Sequence, residues 1–185
     1  MHFILASKSP RRQELLKQMG LDFRVVLKDV DESYPEGLNP AETALYIAEK
    51  KADAFADIAM DEIIITADTI VCIEDHILGK PQGREEAFEM LSLLSGRKHE
   101  VLTGVCLRGH KMKRTFYERT EVYFNILSHS EINYYIENYK PFDKAGAYGI
   151  QEWIGLTGIN KIIGSYSNVV GLPTQRLYEE LKTFQ

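Results

Sequence analysis

Between positions 63 and 73 the chain carries Ile63-Ile64-Ile65 and Ile70-Val71-Cys72-Ile73, two almost unbroken runs rich in β-branched residues. A strand with one wet face alternates apolar and polar residues. Runs like these instead read as strand covered on both faces, the middle of a sheet with helices on either side. The segment between them, Thr66-Ala67-Asp68-Thr69, interrupts the pattern. A carboxylate buried bare is costly, so Asp68 must be hydrogen-bonded, paired or metal-bound. Two readings stay open. Asp68 closes a turn between two strands, or it stands at a strand end facing a cleft, where it can ligate Mg²⁺ or orient an attacking water.

The remaining pattern alternates strands and helices, as an α/β chain should. Phe3 to Ala6 reads as a strand. Ser9 then offers an N-cap and Pro10 fits the first helical position, with Leu15, Leu16 and Met19 as an apolar stripe and Gly20 as the stop. Phe23 to Leu27 reads as a strand, 29–35 as an acidic loop, and Pro40 to Ile58 as a helix with Ala44, Ile47, Ala48 and Ala52 on one face. Glu74-Asp75-His76 is a hairpin tip, Arg84 to Leu94 an amphipathic helix, Glu100 to Arg108 and Phe116 to Ile126 paired strands, and Glu131 to Tyr139 a helix. Further strands are expected near Gly158 to Gly164 and Ser167 to Val170, and Pro173 opens a last helix. With no linker, repeat or low-complexity tract, residues 1–185 read as one α/β unit with room for a second lobe.

Charge narrows the ligand. The chain has 22 Lys+Arg against 27 Asp+Glu, a net of −5, which is a poor match for a nucleic-acid polymer but no obstacle to a small phosphorylated ligand. Cys72 and Cys106 sit in strand-like apolar stretches without zinc spacing and read as buried thiols. Neither a signal segment nor a membrane span is evident, so the expectation is a soluble cytoplasmic protein.

Ser7-Lys8-Ser9-Pro10-Arg11-Arg12 places two hydroxyls and three cations at a helix N-terminus. Cations there oppose the helix dipole, so an anionic partner such as phosphate explains them; a capped helix with solvated basic residues is the alternative. Arg holds phosphate bidentately, which Lys cannot. Glu32 could add an oxygen ligand, and Lys51 and Lys80 could meet further phosphate oxygens, although charged residues in such places are commonly just solvated. Asp143 to Gln151 packs small residues beside a Tyr and a Gln, where Gln151 could read a base edge or the segment could be a tight turn. His99 reads as structural rather than as a base.

In this order these segments resemble the Maf family of nucleoside triphosphate pyrophosphatases. The resemblance covers nearly the whole chain: Leu5 to Arg12, Ala67-Asp68-Thr69, Leu78 to Pro81, Leu94-Ser95-Gly96, His99, Thr103-Gly104-Val105, Asp143 to Gln151 and Gly164 to Pro173. It implies conversion of a nucleoside triphosphate to the monophosphate and pyrophosphate with Mg²⁺ or Mn²⁺. Asp68 matches the proton acceptor that activates water, Arg11, Thr69 and Gln151 the positions setting substrate preference, and Ser7, Arg12, Lys51 and Lys80 the substrate pocket. Glu32 and Asp68 match the metal site. The combination of Arg11, Thr69 and Gln151 is similar to the dTTP/UTP branch rather than the 7-methyl-GTP branch.

The resemblance further implies an elongated mixed sheet with flanking helices of the inosine triphosphatase (Maf/Ham1) type, a cleft between two lobes, homodimers, and a housecleaning role in the nucleotide pool. Other modified nucleotides as substrates, or non-catalytic nucleotide binding in septum formation, are the alternatives that the family name carries. Glu152 departs from the family pattern, which has glycine after the Gln. Its charge either shifts substrate preference or points outward.

Overall fold

β1 (His2–Leu5) runs through a tight turn into α1 (Pro10–Gln18), and β2 (Phe23–Val25) returns parallel to β1. The computed structural model describes residues 1–184. Helix α1 begins where local chemistry directs: the Ser9 hydroxyl accepts the Arg12 N–H, and Pro10 fills the first turn, where its missing N–H costs nothing. It stops at Gly20, whose φ of 72° only glycine adopts cheaply.

Helix α2 (Pro40–Asp53) opens on a reciprocal capping box between Asn39 and Glu42. Its buried Ala44, Ala48 and Ala52 form a stripe of small residues. The stripe lets the helix lie directly on β5 (Lys98–Arg108): a Cβ at Gly104 would stand 2.4 Å from the Ala44 carbonyl oxygen, and Cys106 packs with Ala48 and Ala52. The apolar periodicity predicts a helix to Ile58, but it ends at Asp53. Phe55 and Ile58 leave the helical path to pack with Ile4 and Ile64.

The two isoleucine-rich runs form one strand, β3 (Glu62–Ile73), 12 residues long. Asp68 is therefore neither in a turn nor at a strand end. Thr66 and Thr69 are β-branched and suit a strand. The polar side chains are satisfied where they lie, Thr66 Oγ1 by the Ala48 carbonyl at 2.6 Å, so nothing forces the chain to turn. β1 runs parallel to β3 with Leu5 level with Ile65. β4 (His76–Leu78) folds back antiparallel on β3 through Glu74 and Asp75, both at positive φ (49° and 66°), the conformation a two-residue hairpin demands.

After α3 (Arg84–Leu94) and β5 come β6 (Lys113–Phe124), α4 (His129–Tyr139), a 3₁₀ turn at Ala145–Ala147, α5 (Trp153–Thr157), β7 (Ile159–Ile163), α6 (Tyr166–Val170) and α7 (Thr174–Thr183). The sheet order is β2-β1-β3-β5-β6-β7, with β4 paired to β3 and β7 antiparallel to β6. Tyr166–Val170 is helix where a strand is expected. Asn168 turns its carboxamide inward to donate to the Val101 carbonyl (3.0 Å) and Thr120 Oγ1 (2.9 Å), and its N–H is taken by Ser165 Oγ.

The chain divides into two compact units. One comprises Met1–Thr69, Thr103–Glu118 and the stretch from Gly171; the other comprises Ile70–Leu102 and Arg119–Val170. Cys72 and Cys106 are buried thiols, pushed up to about 11 and about 12 by burial. Among the described residues no helix is long and apolar enough to cross a membrane.

Candidate active site

Along β3 every residue from Ile63 to Ile73 is buried except Asp68 and Thr69. Neighbours on a strand project to opposite faces. Asp68 shares its face with Thr66, which bonds α2 at Ala48, and one helical turn on from Ala48 stands Lys51. Lys51 Nζ lies 2.7 Å from Asp68 Oδ1 and 3.0 Å from Glu32 Oε1. The close seating of α2 at Gly104 is what brings this ammonium to the strand. Lys50, beside it, ties down the same acidic loop by donating to the Ser33 carbonyl (2.9 Å) and Asp31 (3.3 Å). Asp31 is pulled down to about 2, first by its bonds from Ser33 and then by Lys50.

Thr69 faces the other way and meets Arg12. The Arg12 guanidinium donates to the Gly171 carbonyl through Nε (2.8 Å), to the Ala67 carbonyl and Ser7 Oγ through Nη1 (2.9 and 3.4 Å), and to Thr69 Oγ1 through Nη2 (3.0 Å). One side chain thus joins the α1 turn, the strand and the turn before α7. Ser7 is buried and its oxygen also accepts the Ser9 N–H at 3.2 Å. Burial lowers the Arg12 guanidinium from its ordinary value, Asp68 and Glu32 raise it, and Arg11 lowers it. Four of its five N–H donors are engaged by the protein, so Arg12 offers a ligand its charge more than its fork.

The first unit therefore brings together Ser7, Arg11, Arg12, Glu32, Lys51, Asp68 and Thr69. Lys80 and Gln151 belong to the second unit. There both are exposed, Lys80 between Gly79 and the buried Pro81. The Gly146 N–H donates to the Gly79 carbonyl at 3.1 Å, which joins the loop of Lys80 to the segment leading to Gln151. A Cβ on Gly146 would lie 2.8 Å from Val71 Cγ1, so glycine is required for that approach. Glu152 points inward, to Tyr135 and Lys144. His99 is buried with Nε2 2.7 Å from the Tyr148 hydroxyl, as a structural histidine should be.

Sequence reasoning misses Thr103, Gly171, Tyr135 and Lys144 as supports of these groups. Thr103 Oγ1 lies 3.0 Å from Thr69 Oγ1. Gly171 has φ 128°; it, Thr103 and Lys144 lie in segments that carry the family resemblance, which is the signal that could have pointed to them.

Glu32 and Asp68 are the two carboxylates that could hold a metal. They contact the same lysine nitrogen, and both offer hard oxygen donors. No group of three or more His, Cys, Asp or Glu suited to a metal occurs among the described residues. A two-carboxylate set fits Mg²⁺ or Mn²⁺, since Mg²⁺ is characteristically held by one or two carboxylates together with substrate phosphates.

Comparison with known proteins places the chain. The dTTP/UTP pyrophosphatase of Bacteroides thetaiotaomicron is 54% identical over 181 residues, covering 97% of this chain and 94% of the relative. That of Flavobacterium psychrophilum is 51% identical over 176 residues, covering 95% and 90%. Among solved structures, a HAM1 protein from Coxiella burnetii aligns over 99% of each chain with a TM-score of 0.53 at 14% identity, which bears out the mixed-sheet fold alone. The family model described as Maf-like protein matches residues 2–184, and the chain belongs to that family.

Proposed function

We propose that this chain hydrolyses nucleoside triphosphates to the monophosphate and pyrophosphate, with dTTP and UTP as its preferred substrates. The observation that carries the reading is the Asp68–Lys51–Glu32 contact, set beside a turn whose Arg12 is within electrostatic reach of both carboxylates and of Arg11. The names of the relatives support the same reaction and the same substrates.

Water attacks the α-phosphorus and Asp68 accepts its proton. A positioned base of this kind contributes roughly 10²–10⁴-fold. Lys51 holds the Asp68 carboxylate by one oxygen and keeps the other for the water. Arg11 and the α1 turn take phosphate oxygens, with Arg12 holding the turn and adding its charge. A divalent cation held by Glu32 and Asp68 would supply charge neutralisation of the leaving pyrophosphate. Lys80 takes a further phosphate oxygen, and Thr69 and Gln151 discriminate the base. A cytoplasmic homodimer, with residues 1–185 acting as one Maf-like domain, completes the reading.

The test is a panel of nucleoside triphosphates with separate detection of pyrophosphate and orthophosphate. UMP and pyrophosphate from UTP are expected. Orthophosphate, or activity confined to purine nucleotides, would sink the assignment.

A further inference from the structure

Gln151 sits at the corner of a turn, Gly149-Ile150-Gln151-Glu152, closed by the Glu152 N–H donating to the Gly149 carbonyl at 3.0 Å. One hydroxyl holds both ends of it. Tyr135 Oη accepts the Gly149 N–H at 2.9 Å and donates to Glu152 Oε2. The second oxygen of that carboxylate, Oε1, lies 3.2 Å from the buried Lys144 ammonium, which also donates to Asp143 at 2.7 Å. The Glu152 carbonyl accepts the N–H groups of Gly155 (2.9 Å) and Leu156 (3.3 Å), so the residue that ends the turn also starts α5.

Packing leaves the network no slack. A Cβ on Gly149 would lie 2.9 Å from Glu152 Cδ and 3.1 Å from Lys144 Cε, and one on Gly155 would lie 1.8 Å from the Ile150 carbonyl oxygen. Tyr135 is fully buried and its ring stacks on Tyr139 with centroids 5.2 Å apart, so the hydroxyl cannot swing away. Burial, then the bond to Glu152, pushes that hydroxyl well above its ordinary range, which keeps it protonated and donating. A paired buried charge is seldom the most stabilising choice, because desolvation offsets the attraction. What such a network does supply is a single conformation, here of the four residues with Gln151 at their corner.

We propose that the Tyr135–Glu152–Lys144 network sets the posture of Gln151, which makes Glu152 a positioning residue for base discrimination although it does not touch the base. The inference rests on the pyrophosphatase reading, in which Gln151 meets the base.

The experiment is steady-state pyrophosphate release from UTP and from GTP by the wild type, Glu152→Ala, Tyr135→Phe and Glu152→Gln. Loss of the network should lower the UTP-over-GTP ratio of kcat/KM by about tenfold in Glu152→Ala and Tyr135→Phe, mainly through KM for UTP, since small misplacements of a binding group are costly. Glu152→Gln, which can still accept from Tyr135, should recover most of the ratio. Ratios within about twofold of wild type in both disruptive variants, with cooperative unfolding intact, overturn the inference, because a merely structural network would move stability and not preference. If Glu152→Ala does not fold, Tyr135→Phe decides, since it keeps the ring and the charge pair. A wild type that turns over no nucleotide overturns the pyrophosphatase reading and this inference together; turnover with an unmoved ratio overturns this inference alone.

Discussion

Two lysine–carboxylate pairs, Lys51 with Asp68 in the first unit and Lys144 with Glu152 in the second, differ in what else the carboxylate is given. Lys51 approaches Asp68 at 2.7 Å and is the one hydrogen-bonding partner that the described residues supply to it. Glu152 has Lys144 at 3.2 Å and a donated tyrosine hydroxyl as well, so each of its oxygens is engaged. The supports differ too. Asp68 rides on a long strand that from Ile63 to Ile73 is buried except at Asp68 and Thr69, whereas Glu152 ends a turn whose two ends are joined through its side chain and the Tyr135 hydroxyl. A carboxylate with a spare oxygen on a rigid strand can accept a proton. One with both oxygens engaged can only hold its surroundings still.

The largest expected effect tests that contrast directly. Asp68→Asn is nearly isosteric and should lower kcat for UTP by roughly 10²–10⁴-fold while leaving urea unfolding nearly unchanged. Pyrophosphate release at saturating UTP checks it, and wild-type kcat in that variant breaks the comparison. The next effect belongs to the second unit and to stability. His99 is buried against Phe124 and Tyr148, and burial alone pushes it down to about 4 from 6.5. The fold therefore binds the neutral imidazole, and between those values the unfolded chain carries the extra proton. Stability from His99 is whole above about pH 6.5 and is lost as pH falls towards 4, by about 3 kcal/mol over the window. Urea unfolding between pH 7 and pH 4 should show His99→Gln with a shallower acid slope than wild type; equal slopes would sink the assignment.

The sheet's central strand and most helices are legible in the sequence because they rest on local signals. The Ile63 to Ile73 runs, the Ser9-Pro10 start and the Glu74-Asp75 turn each carry their own chemistry. What is not legible depends on distant partners. Asp68 reads as an interruption because nothing nearby in sequence shows that Lys51 and Ala48 will satisfy that face of the strand. Helix α2 reads too long because Phe55 and Ile58 keep helical spacing while their contacts are with Ile4 and Ile64. Ser167 to Val170 looks like strand because its apolar content hides a buried Asn168 committed to Val101 and Thr120. Arg12 stands out in the sequence as a candidate site cation, yet its engagement with Gly171, 159 positions away, does not.

That engagement sets a third, smaller effect. Arg12→Lys keeps the charge and loses the fork, and a lysine nitrogen cannot reach the Gly171 and Ala67 carbonyls and Thr69 together. Leaving part of this buried acceptor set short of a donor should cost about 2 kcal/mol in urea unfolding. Arg11→Lys should lose less stability than Arg12→Lys and alter KM instead. Equal stability losses in the two variants would remove the distinction between a holding and a binding arginine.

The smallest effect concerns Glu32, the second carboxylate on Lys51. Its side chain is 51% exposed, so the 3.0 Å pair with Lys51 should contribute well under about 1 kcal/mol to stability. Glu32→Gln should accordingly unfold like wild type. The metal-holding role proposed for it predicts a different loss: removing one anionic oxygen should raise the Mg²⁺ concentration for half-maximal turnover about fivefold to tenfold, near 1 kcal/mol of binding. Asp31→Asn is the matched control. It removes a neighbouring charge of the same loop, but that carboxylate is taken by Ser33 and Lys50 rather than by Lys51. A Mg²⁺ titration in which both variants shift alike would mean that the loop's overall charge, and not Glu32 itself, sets the metal response; a shift in Glu32→Gln alone ties the metal to the carboxylate that shares a lysine with Asp68.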